Sequence, residues 1–71
     1  MDIKLINQYE THEQYIEAVK HVFAFAGFAS CPLTDMQMCF LYRCGFDVDA
    51  AFSVGSDVYA GYGFVEAMEA L

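Results

Sequence analysis

The feature that most constrains this chain is its helix punctuation. Thr11-x-x-Gln14 and Thr34-x-x-Gln37 both have the form of a capping box, in which a hydroxyl and an amide satisfy backbone N–H groups at a helix start. Asp47 has the chemistry of a third N-cap, and Asp49 falls in the turn that follows. Gly27, Gly45 and the Gly61-Tyr62-Gly63 break stand where helices stop. A chain interrupted this often builds several short helices rather than one long one. The signals predict helices near 12–27, 35–44, 48–60 and 64–71, after an extended lead-in over 1–10 in which a lone strand would have nothing to pair with.

Apolar spacing gives each helix an inner face. Tyr15, Ile16, Val19, Val22, Phe23 and Ala26 form one stripe, with Glu13, Glu17, Lys20 and His21 opposite. Leu33 and Met38 fit a hydrophobic staple around Thr34. Gly45 fits the left-handed position of a Schellman stop, with Phe46 folded back toward Leu41. The third stripe is Val48, Ala51, Phe52, Gly55, Val58 and Tyr59, and Gly55 is expected to mark the close approach of a neighbouring helix. In the fourth helix Val65, Met68 and Leu71 are expected inward, Glu66 and Glu69 outward. Gly45-Phe46 with Val48 and Gly63-Phe64 with Val65 read as one helix-stop device used twice. The expected fold is all-α: a compact single-domain bundle of about four short helices over residues 1–71.

At 71 residues, such a chain buries roughly 60% of its unfolded surface, enough for one marginal core. That excludes a two-domain enzyme with a cleft, and a dinucleotide fold. An apolar share of 58% excludes disorder. Ten acidic residues against three basic ones give a net charge of −7. Lys4, Lys20 and Arg43 cannot form the basic patch that nucleic acid or anionic lipid requires, so neither is an expected partner. A basic protein surface is.

No catalytic signature is present. Nucleophile, base and orienting group have no local pattern, and so small a bundle is expected to lack room for a pocket beside its core. His12 and His21 lie nine residues apart on opposite sides of the first helix, and Cys39 and Cys44 lie elsewhere, so no metal site or cofactor is expected. Asp47 and Asp49 are explained by capping, without the further oxygen ligands of a calcium loop. Cys31, Cys39 and Cys44 are expected to be reduced, buried thiols in a cytoplasmic protein. The longest apolar run, 22–29, is too short to span a bilayer.

Two features carry functional weight. The first is aromatic content: seven Phe and five Tyr. Phe23, Phe40, Phe52 and Phe64 suit a core, and Tyr42, Tyr59 and Tyr62 suit helix ends or rims. Phe25 and Phe28 fall off the first stripe. They serve either as interface anchors or as packing under the 30–35 connector or the N-terminal segment. The second is the acidic surface: Glu10, Glu13 and Glu17 at i, i+3 and i+7, Asp47, Asp49 and Asp57 along the third helix, Glu66 and Glu69 on the fourth. It either keeps an apolar chain soluble or stands in for phosphates in another protein's nucleic-acid groove.

In size, acidity, compact helical build and lack of a catalytic signature, the chain resembles the small phage-encoded inhibitors called anti-CRISPR proteins. The resemblance is of type over the whole chain; no motif carries it, and it transfers no residue by position. It implies stoichiometric binding to a Cas effector, such as a Cascade subunit, in the bacterial cytoplasm. The residues themselves suggest a non-enzymatic inhibitor or adaptor. Glu13, Glu17, Asp47, Asp49 and Asp57 would supply steering and charge pairing, with Tyr42 and Phe28 as candidate anchors. The rival expectation is a structural homo-oligomer that buries surplus aromatic surface against its own copy.

Overall fold

The computed structural model describes residues 11–71; the lead-in expected over 1–10 lies outside them. Four helices follow in order: α1 (His12–Phe25), α2 (Asp35–Arg43), α3 (Val48–Tyr59) and α4 (Phe64–Glu69). No strand occurs among the described residues. The fold is the expected small all-α bundle.

The punctuation works as its chemistry dictates. Gln14 N–H donates to Thr11 Oγ1 at 3.2 Å, Gln37 N–H to Thr34 Oγ1 at 3.0 Å, and Ala50 N–H to Asp47 Oδ1 at 2.8 Å. The box at α2 is reciprocal, since Thr34 N–H donates to Gln37 Oε1 at 3.0 Å. The first three helices all end in the same way. Gly27, Gly45 and Gly61 adopt φ of 99°, 87° and 115°. In each case the next residue's N–H bonds back across the last turn, from Phe28, Phe46 and Tyr62 to the carbonyls of Phe23, Leu41 and Asp57. These are three Schellman stops. The device is therefore used three times, at Gly27, Gly45 and Gly61, and not at Gly63. Gly63 begins α4 instead, its N–H donating to Glu66 Oε1 at 3.2 Å.

Contacts fix the helix directions. The rings of Tyr15 and Tyr42 lie 5.2 Å apart, and Lys20 Nζ reaches Asp35 Oδ1 at 3.2 Å. The start of α1 thus meets the end of α2, and the two run antiparallel. The Tyr15 hydroxyl donates to the Asp47 carbonyl at 3.4 Å, and eight residues further along both helices the Phe23 ring lies against Gly55. So α1 and α3 run parallel. Gly55 is the expected close approach: a Cβ there would overlap the buried Phe23 ring.

The core holds Tyr15, Ile16, Val19 and Phe23 of α1, with Leu33, Met38, Leu41, Ala51, Val54 and Ala67. Several inward assignments change. Val54 joins the core of α3 while Tyr59 is exposed: α3 packs against α4 as well as α1, and its buried face turns accordingly. In α4 the inner face is Phe64, Ala67 and Met68, and Val65 and Leu71 face solvent. Phe40, expected in the core, is 47% exposed. Cys44, expected buried, is exposed at the end of α2, while Cys31 and Cys39 are half-buried.

Candidate functional site

The outward side of α1 is built by a four-residue repeat. Glu13, Glu17, His21 and Phe25 all lie on the exposed side, away from the stripe that ends in Phe23. Successive members step by about 40° around the helix, so they form one shallow ridge roughly 18 Å long. Glu13 also lies 3.7 Å from the His12 imidazole. At the far end Phe25 is 88% exposed, the largest exposure of any bulky apolar side chain described. Carboxylates at one end and a bare phenyl ring at the other offer both charge and an anchor.

The helix directions gather part of the expected site. Because α1 and α3 run parallel and α2 antiparallel, Glu13, Asp47, Asp49 and Tyr42 share one end of the molecule. Asp47 and Asp49 are exposed there, and the N-terminal dipoles of α1 and α3 both favour anions at that end. Asp57 is not part of this group, lying about 15 Å along α3 from Asp47. It is half-buried, and its carbonyl accepts the Tyr62 N–H of the α3 stop.

The two expected anchors lie elsewhere than on a free rim. Tyr42 is half-buried against Tyr15. Phe28 is half-buried in an aromatic cluster, with centroids 5.0 Å from Phe23, 6.2 Å from Phe52 and 5.0 Å from Tyr59. Phe28 is thus a packing residue rather than a free anchor, but its partners are rings of α1 and α3 rather than the 30–35 connector. The free ring is Phe25. The signal that separates them was present in Gly27: a Schellman stop folds the residue after the glycine back onto the helix, here Phe28 onto Phe23.

Two open depressions flank this cluster. One, of about 300 Å³, is lined in part by Lys20, Ser30, Cys31 and Leu33; the other, of about 340 Å³, by Ala26, Gly27, Ala29 and Tyr59. Both are open to solvent rather than enclosed beside the core. Among the described residues no three His, Cys, Asp or Glu side chains come together as a metal-binding group. No described helix is long and apolar enough to cross a membrane.

Charge over the described residues is one-sided. Eight carboxylates (Glu13, Glu17, Asp35, Asp47, Asp49, Asp57, Glu66, Glu69) face two cations, Lys20 and Arg43, and Lys20 is taken by Asp35. Comparison with protein-family models, curated proteins and solved structures finds no match to this chain.

Proposed function

We propose that the protein is a non-enzymatic binding module that docks through the outer ridge of α1 on a basic surface of another protein, one that otherwise handles nucleic acid. The observation that carries this reading is the ridge itself, Glu13–Glu17–His21 ending in the bare ring of Phe25. Solubility alone calls for carboxylates; the almost fully exposed phenyl at the far end of the same ridge adds an apolar anchor to them. A groove that binds a phosphate backbone is rich in Lys and Arg, and spaced carboxylates complement it. Asp47 and Asp49 extend the negative potential around the same end of the molecule. Occupation of such a groove blocks nucleic acid from entering it. On the resemblance of type to anti-CRISPR proteins, the groove belongs to a Cas effector subunit and the setting is a bacterial cytoplasm.

The test begins with capture from nuclease-treated bacterial lysate. The recovered partner is expected to be a nucleic-acid-binding protein whose own ligand competes for the site. Reversing Glu13, Glu17 and Asp49 to Lys should slow association at least about tenfold, with the effect shrinking as salt rises. Phe25→Ala should instead speed dissociation, by about tenfold or more if the ring is a hot spot, and leave folding stability unchanged. Parent-like association by the triple variant would overturn the reading.

A further inference from the structure

The depression of about 340 Å³ beside Gly27 has aromatic walls, and no charged side chain lines it. Phe28 and Tyr59 both face it, with ring centroids 5.0 Å apart and planes at 75°, so they form a corner. Tyr59 is 73% exposed yet is held in place by its contact with Phe28. The rest of the lining is Ala26, Gly27 and Ala29, whose side chains are too small to cover their backbone. A Cβ placed on Gly27 would meet nothing within 4 Å, so the space in front of it is open.

The backbone around this corner is electronegative. Because α1 and α3 run parallel, the C-terminal ends of both helices lie here, joined by the Phe28–Tyr59 contact. Neither helix has a basic residue in its last turn, whereas α2 has Arg43 in its own. The stop at Gly27 occupies the carbonyls of Ala24 and Phe23, but among the described residues no backbone N–H reaches the Ala26 carbonyl. Lys20 lines the other depression and is paired with Asp35. Helix C-termini favour cations, and the faces of aromatic rings attract them. Two such ends and two such rings therefore meet at a place where the chain supplies no cation of its own.

We propose that this corner takes an arginine side chain of the basic receptor. The proposal rests on the α1 ridge for the existence of that receptor, and the ridge leads into the corner: Phe25 ends the one and Ala26 begins the other. An anion does not fit, since the helix ends would repel it. Arginine fits better than lysine. Its guanidinium is planar, more weakly hydrated and stacks on aromatic rings, and its edge carries donors for a carbonyl such as that of Ala26. A lysine ammonium keeps its water more firmly. Arginine is also among the side chains that most often anchor an interface.

The test needs no receptor, so it fails or succeeds separately from the reading of the ridge. The ¹⁵N-labelled full chain is titrated with N-acetyl-arginine methylamide and, in parallel, with the citrulline analogue, which has the same shape without the charge. Ionic strength is held constant, so that diffuse attraction to a net charge of −7 is equal in every arm. The expected result is saturable shifts of the Gly27, Phe28, Ala29 and Tyr59 amides in the millimolar range, with the citrulline analogue at least about fivefold weaker. Tyr59→Ala should weaken binding about two- to fivefold, and Tyr59→Phe should restore it. Ala26→Lys, which supplies the missing cation from within, should also weaken it. Ala26 and Tyr59 are exposed, so circular-dichroism spectra identical to the parent's are expected. Absence of shifts, shifts confined to Glu13 and Glu17, equal binding of the citrulline analogue, or affinity unchanged by Tyr59→Ala would each overturn the proposal.

Discussion

Gly55 shows how one side-chain position can set the distance between two helices. An alanine in mid-helix normally gains about 1 kcal/mol over glycine. Here its methyl would enter the space held by the Phe23 ring, which is fully buried and packed between Phe28 and Phe52. Overpacking of a filled core costs about 1–3 kcal/mol, so the steric term exceeds the propensity gain. Gly55→Ala should lower stability in urea unfolding. Combined with Phe23→Leu, it should cost less than the two single changes added together, because the smaller side chain vacates the contested space. Additive costs would show that the two residues are not in contact. Phe25, two residues from Phe23, has no such role: it turns to solvent, and its replacement should register in binding alone.

At the scale of the element, α1, α2 and α3 were legible because both of their ends carry chemistry that acts locally. A hydroxyl or carboxylate cap needs only the next turn, and a glycine stop needs only a positive φ, so neither depends on the rest of the fold. The inner faces were legible less evenly. In α1 the stripe is long enough to define its own phase. In α4, six residues allow more than one apolar phase, and the choice is made by Phe64 against Phe40, a contact between helices that sequence spacing does not contain. The candidate site divides in the same way. The exposure of Glu13 and Glu17 followed from helical period, whereas the exchange of Phe28 for Phe25 as the free ring followed from the geometry of a helix stop. Asp47 belongs to both sets, as the cap of α3 and as part of the acidic end. Asp47→Asn should keep the cap while losing charge, and Asp47→Ala should lose the cap as well, at a cost of about 1 kcal/mol. Thermal melts of the two variants beside receptor association rates separate the roles; equal stability in the two would show that the cap contributes nothing.

Over the whole molecule, polar character is divided by face. The α1 ridge and the shared end of α1 and α3 are acidic, while the outer side of α2 is apolar with one cation. The two surfaces are thus separate. The three glycine stops have a kinetic consequence. α1 meets α2 across the 26–34 connector, and α3 meets α4 across 60–63; only the α1–α3 packing and the Phe40–Phe64 contact need distant residues to find each other. Little closure entropy has to be lost before contacts form. Refolding from denaturant should run on the microsecond-to-millisecond scale of helical bundles, within the mixing time of a stopped-flow instrument. A dominant phase lasting seconds, beyond the minor one that cis–trans isomerisation at Pro32 produces, would contradict this. A newly made copy would reach its working shape almost as soon as its last residue left the ribosome.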